Sequence, residues 1–119
     1  MMSTKEVADK LFEYCTKGEW DKAQTELYAD HAISLEMPGT DFPERVEGKA
    51  GILEKGKAFD GMVEEFHGIK MEGPVVAGNF FSCNMVMDIK YKDRPRSQDA
   101  EICVYKVEDG KIVSEQFFY

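Results

Sequence analysis

In the stretch MEGPVVAGNFFSCNMVMDIKYK, from Met71 to Lys92, the residues Phe81, Cys83, Met85, Met87, Ile89 and Tyr91 recur at every second position. Ser82, Asn84, Asp88 and Lys90 fall between them. Successive side chains of a strand point to opposite faces of a sheet, so this pattern is that of a long strand with one buried face. A strand of that kind is not stable alone. The rest of the chain must supply neighbouring strands and a cover.

The neighbours follow in sequence. Met62 to Glu72 reads as a strand, broken at Gly73-Pro74, with Val75 to Ala77 beginning the next. Gly78-Asn79 has the composition of a hairpin turn. Lys92 to Pro95 forms a second turn, and Arg96 to Val107 another long strand. Glu108 to Lys111 is a third turn, in which Gly110 suits a positive φ. Ile112 to Tyr119 closes the chain as a strand.

The cover lies in the first half. Ser3 and Glu6 have the spacing of a capping box and open a helix near Thr4. Val7, Ala8, Leu11, Phe12 and Cys15 share one face of it, and Gly18 is a left-handed stop. Trp20, Ala23, Leu27 and Tyr28 mark a second, shorter helix, with Ala29 to His31 as a turn after it. Ala32 to Glu36 reads as a short strand. MPGTDFPERVEG, from Met37 to Gly48, reads as an irregular loop. Lys49 to about Phe59 is a third helix with Ala50, Leu53 and Phe59 inward and Gly56 allowing a close approach.

Helices followed by an antiparallel run of strands give an α+β layer structure in one domain, residues 1–119. Three helices on one strongly curved, mainly antiparallel sheet form a cone-shaped roll. Such a cone can enclose a cavity, the favoured place for a small-molecule site.

The formal net charge of -8 argues against nucleic acid and anionic membrane surfaces as partners. No apolar run approaches membrane-spanning length, and no apolar signal region opens the chain. Three widely spaced cysteines without a CxxC fit a reducing cytoplasm better than a disulfide framework. No HxxxH or CxxC spacing gathers ligands, so neither a metal nor another cofactor is expected.

At this point the sequence resembles the nuclear transport factor 2-like superfamily, which includes ketosteroid isomerase and the SnoaL polyketide cyclases. The resemblance is carried by EYCTKGEWDKAQTELYADHAISLEMPG, by VEGKAGI at the start of the third helix and by the closing VYKVEDGKIVSEQFFY. It implies the cone-shaped roll. It also implies that Glu36, in the short strand after YADHA, holds the place of the isomerase general base. Two positions depart from the isomerases: Leu11 stands where their tyrosine lies, and Cys103 where their protonated aspartate lies. Cys103 is a poor hydrogen-bond donor, so an oxyanion hole of that type is missing and ketosteroid isomerase activity is not expected.

The strand Arg96 to Val107 leaves two parities open. Either Asp99, Glu101, Cys103, Tyr105 and Val107 face inward, or Ala100, Ile102 and Val104 do; the resemblance favours the first. It likewise favours Val113, Glu115, Phe117 and Tyr119 over Ile112, Ser114, Gln116 and Phe118 in the last strand. Glu36 and Glu101 would then be the catalytic pair, since two carboxylates in an apolar cavity do not both ionise easily. His67, Met85, Cys103, Glu115, Tyr119, Phe12 and Trp20 are the expected ligand-binding residues. His67 pairing with Glu101 or Glu36 would form a proton relay, while His31 reads as a capping residue. The basic block Asp88 to Arg96 reads as a solvated hairpin tip.

Two functions remain open from sequence. One is an enzyme of isomerase, cyclase or hydratase type that moves protons on a small, largely apolar molecule. The other is a non-catalytic module that holds a lipophilic ligand or a partner chain. The outer face of the sheet (Phe80, Val86, Ile102, Val104) predicts a homodimer in either case.

Overall fold

A computed structural model describes residues 1–119. The elements run α1 (Thr4–Thr16), α2 (Trp20–Leu27), β1 (Tyr28–Leu35), β2 (Arg45–Glu47), α3 (Lys49–Met62), β3 (Val63–Ala77), β4 (Phe80–Tyr91), β5 (Ser97–Glu108) and β6 (Lys111–Phe118). The six strands make one sheet in the order β2-β1-β6-β5-β4-β3. Only the β1–β6 pair is parallel. Three helices packed on this mostly antiparallel sheet form an α+β roll.

Local chemistry sets the element ends. Ser3 and Glu6 close a full capping box: the Glu6 amide donates to Ser3 Oγ, and the Ser3 amide donates to Glu6 Oε1. Val7, Ala8, Leu11 and Cys15 then form the buried face of α1. In the last hairpin Asp109 and Gly110 both take positive φ, 51° and 74°. This is the pairing expected of a tight two-residue turn. The β4 alternation holds, with Phe81, Cys83, Met87 and Ile89 buried.

Several expectations are corrected. Ala29 to His31 is not a turn, because β1 begins at Tyr28 and meets β6 through a register shift between Tyr28 and Ile33. The loop after Glu36 contains a short strand, β2, which pairs with Ile33 to Leu35. Gly73-Pro74 does not end β3; the strand passes through it with a bulge between Glu72 and Val75. Two more register shifts, at Val63/Glu65 and Phe66/Gly68, add bends along the same strand.

The third helix is rotated relative to the expected face. Ile52 is buried, Leu53 and Phe59 are half-buried, and Ala50 is exposed. The close-packed glycine is Gly51, where an added Cβ would lie 2.9 Å from Val46 Cγ1; at Gly56 the contact, with Gln24 Oε1 at 3.5 Å, is ordinary.

Cys103, Tyr105 and Val107 are buried while Ala100 and Ile102 are exposed, so the odd-numbered face of β5 is the inner one. In β6 the alternation is interrupted. Lys106 pairs with Ser114 but Val107 with Ile112, so one extra residue on β6 puts both Ile112 and Glu115 inside. Val113, expected inward, is only half-buried.

The core joins the inner faces of α1, α2 and α3 to Phe81, Cys83, Cys103, Tyr105, Val107 and Ile112. On the opposite face of the sheet, Phe80, Ile102 and Phe118 are exposed.

Candidate functional site

The helices do not fill the concave side of the sheet. A cavity of about 590 Å³ remains, walled by 18 hydrophobic residues among 29. That volume lies within the roughly 300–1,000 Å³ of small-molecule sites. α1 and α2 contribute Leu11, Cys15, Trp20 and Ala23; α3 contributes Ile52, Lys55, Gly56 and Phe59. The sheet contributes Met71, Met85, Met87, Tyr91, Glu101, Cys103, Tyr105, Glu115 and Phe117, with Glu36 and Tyr119 from residues just beyond β1 and β6.

One wall is densely hydrogen-bonded. Glu36 Oε2 and Lys55 Nζ form an ion pair at 2.8 Å, with side chains only 6% and 11% exposed. Tyr119 donates its hydroxyl to Glu36 Oε1 at 2.7 Å. Lys55 Nζ also donates to Ser34 Oγ at 2.8 Å, and Ser34 donates in turn to Glu115 Oε2 at 2.6 Å. Tyr28 donates its hydroxyl to Glu115 Oε1. Each buried oxygen in this wall thus meets a donor, as a low-dielectric interior demands. Burial pushes the Glu115 carboxyl up, opposed by the hydrogen bonds from Ser34 and Tyr28 and by the charge of Lys55. Burial, followed by the charge of Glu115, holds the Tyr28 phenol well above its ordinary range.

The adjoining wall, on β4 and β5, is different. Glu101 has Met85 as its partner on β4, and its one side-chain hydrogen bond is from the Cys103 thiol to Oε1 at 3.4 Å. No lysine, arginine or histidine pairs with it. Loss of hydration raises its carboxyl from 4.5 to about 7, and the charges of Glu36 and Glu115 add to the rise; the Cys103 contact and Lys55 oppose it. A carboxyl poised there exists in both protonation states near neutral pH, which is what a proton shuttle needs.

The cysteines offer no comparable chemistry. All three are free and buried. Burial pushes Cys15 up to about 12 and Cys83 up to about 11; Cys103 is pushed up by burial and by Glu101. None is therefore a ready thiolate nucleophile.

Of the expected site residues, Glu36, Glu101, Glu115, Met85, Cys103, Tyr119 and Trp20 all line the cavity. Phe12 and His67 do not. Phe12 packs at the edge of the core while its neighbour Leu11 lines the cavity. His67 lies on an exposed stretch of β3 with Nε2 2.8 Å from Glu65 Oε1, so the relay to Glu36 or Glu101 is absent. The cause is the bulge at Phe66/Gly68, which breaks the parity that would have aligned His67 with Met71.

Sequence reasoning missed Lys55, Ser34, Tyr28 and Arg94. Lys55 had a legible signal: it lies three residues after Ile52 and four before Phe59, on the face that the helix turns inward. Arg94 lies on the exposed tip of the β4–β5 hairpin, as expected, and also reaches the rim of the cavity. Its guanidinium lies 4.7 Å over the Tyr91 ring, and Nη2 donates to Asp41 Oδ2 at 2.9 Å, tying the β4–β5 hairpin to the loop after Glu36.

Comparisons with known proteins agree with the fold. A family model described as SnoaL-like domain matches residues 2–119. A solved structure described as a SnoaL-like polyketide cyclase from Mesorhizobium loti is 29% identical, with a TM-score of 0.91 over 99% of this chain and 100% of that one. A cystatin-like protein of unknown function from Xanthomonas campestris is 15% identical, with a TM-score of 0.84 over 98% and 90% of the two chains. A protein with a ketosteroid isomerase-like fold from Catenulispora acidiphila, in complex with trimethylamine, is 18% identical, with a TM-score of 0.76 over 98% and 87%. The comparison with curated protein sequences gives no significant match.

Proposed function

The chain belongs to the SnoaL-like domain family, and from that premise we propose that its cavity binds a small, largely apolar molecule on which Glu101 moves a proton. The observation that carries this reading is the contrast between the cavity's carboxylates. Glu36 is bound by Lys55 and Tyr119, and Glu115 by Ser34 and Tyr28, whereas Glu101 meets only a thiol. The acid–base role expected of Glu36 therefore passes to Glu101, with Glu36 as its charged neighbour. Met85, Cys103 and Phe117 form apolar walls around the reacting carbon. The reaction class is isomerisation, cyclisation or hydration, each of which needs a proton taken from one atom and returned to another.

A substrate need not be known to test this. Uptake of the neutral dye 1-aminoanthracene, followed by fluorescence, reports ligand binding. Exchange of the α-protons of 2-indanone in D2O, followed by NMR, reports proton transfer. The reading expects both, with exchange lost in Glu101→Gln. Dye uptake without exchange would leave a ligand-holding protein, and absence of both would remove the reading.

We also propose that two copies pair through the outer sheet face, where Phe80, Ile102 and Phe118 are exposed beside half-buried Val86 and Val104. Three free thiols suit a reducing cytoplasm. No helix is long and apolar enough to cross a membrane.

A further inference from the structure

Removing a proton next to a carbonyl places negative charge on its oxygen, and that charge needs a donor in a dry cavity. Leu11 and Cys103, which line the cavity, offer only an aliphatic group and a thiol, a poor hydrogen-bond donor. The cavity nevertheless contains one strong, buried donor that the acid–base chemistry of Glu101 does not use. An ammonium carries three N–H groups. Lys55 spends one on Glu36 Oε2 and one on Ser34 Oγ, both at 2.8 Å, and no protein acceptor takes the third. Its nitrogen lies 5.0 Å from the centre of the Phe117 ring and 5.7 Å from that of Phe42, so apolar rings flank it within the cavity.

We propose that the remaining N–H of Lys55 receives the oxygen of the ligand, and that the site therefore selects molecules whose carbonyl or acidic hydroxyl oxygen becomes anionic on binding or reaction. This rests on the reading of the cavity as a ligand site. In the reaction, the proton α to the carbonyl passes to the Glu101 carboxylate. The C–H electron pair becomes the new C=C bond, and the carbonyl π pair moves to the oxygen facing Lys55. Return of the proton from Glu101 to carbon, at the same or a conjugated position, completes the cycle with no oxidant or reductant. Glu36 and Ser34 act as positioning residues that hold the ammonium on the cavity side of α3.

The probe is 4-nitrophenol, whose anion absorbs at longer wavelength than its neutral form; neutral 4-nitroanisole serves as the control for shape. In the wild-type protein the ratio of ionised to neutral bound phenol is expected to be about tenfold higher than in Lys55→Met at the same pH. Binding of 4-nitroanisole should change little. Since Lys55→Met can fail to fold, a second measurement uses the unaltered protein with 15N-labelled lysine. Titration with 4-nitrophenol should move the Lys55 Nζ resonance, and 4-nitroanisole should move it much less. If the phenol binds but is equally ionised in both proteins, or if both probes leave the Lys55 signal unmoved, Lys55 is not the oxygen's partner while the ligand site stands. If neither probe binds at all, the reading of the cavity falls and this inference falls with it.

Discussion

Glu115 and Glu101 look into the same cavity from neighbouring strands, and burial raises both carboxyls above their ordinary range. Their surroundings differ. On the β1–α3–β6 side, Glu115 accepts from Tyr28 and Ser34, and Ser34 accepts from Lys55, which pairs with Glu36. On the β4–β5 side, Glu101 has one thiol and otherwise Met85 and other apolar groups. Equal residue types in one cavity thus take opposite tasks. A carboxylate with matched donors braces the wall and is costly to disturb, whereas the one without them holds its proton up to near neutral pH, where both protonation states are populated.

The contrast is tested most severely by removing the free carboxyl. Glu101→Gln should reduce α-proton exchange by roughly 100- to 10,000-fold, the usual worth of a positioned acid–base group. Its stability in urea should stay within about 1 kcal/mol of the parent at neutral pH or rise, because no ion pair is lost. On the braced side the expectation inverts. Lys55→Met leaves Glu36 buried beside only Tyr119, and breaking such a pair costs about 3–5 kcal/mol, read from the urea midpoint.

The sequence exposed this contrast only in part. The strand alternation, the capping box and the Asp109-Gly110 turn are local features, and each could be read directly. The three glutamates of the cavity were legible through the family resemblance, because alternation left both parities of β5 open and Glu36 lies just beyond β1. What could not be read was which of them has donors. The hydroxyls of Tyr28 and Ser34 reach Glu115 across more than eighty residues of sequence. Bulges defeated parity elsewhere: one at Phe66/Gly68 turned His67 away, and one between Lys106 and Val107 brought Ile112 into the core. Alternation carries no mark of an inserted residue, so pattern alone could not place either side chain.

A pH series sharpens the comparison. The Glu101 carboxyl, raised from 4.5 to about 7, binds its proton more tightly in the folded protein than in the unfolded chain. Stability owed to this group is therefore full below about 4.5 and declines as pH rises through about 7. The loss is on the order of 3 kcal/mol, since a tenfold difference in proton affinity between the folded and unfolded chains is worth about 1.36 kcal/mol. Urea unfolding of wild type and Glu101→Gln at pH values on either side of that window should show the variant gaining relative stability as pH rises. Glu36, Glu115 and Lys55 face Glu101 in both proteins, so their contributions largely cancel in the difference.

The smallest effect on the fold is expected outside the cavity. Ile102→Glu on the exposed face of β5 should change monomer stability by less than about 0.5 kcal/mol. It should nevertheless move sedimentation from a dimer towards a monomer at micromolar concentration. A wild-type protein that already sediments as a monomer would remove the outer-face pairing and leave the two walls of the cavity untouched.

The most direct measurement is a 13C NMR titration of the Glu101 side-chain carboxyl in the folded protein. The difference between the two walls predicts a midpoint of about 7. A midpoint at the ordinary value of 4.5 would mean that Glu101 is solvated or paired after all, and the proton-transfer account would be contradicted.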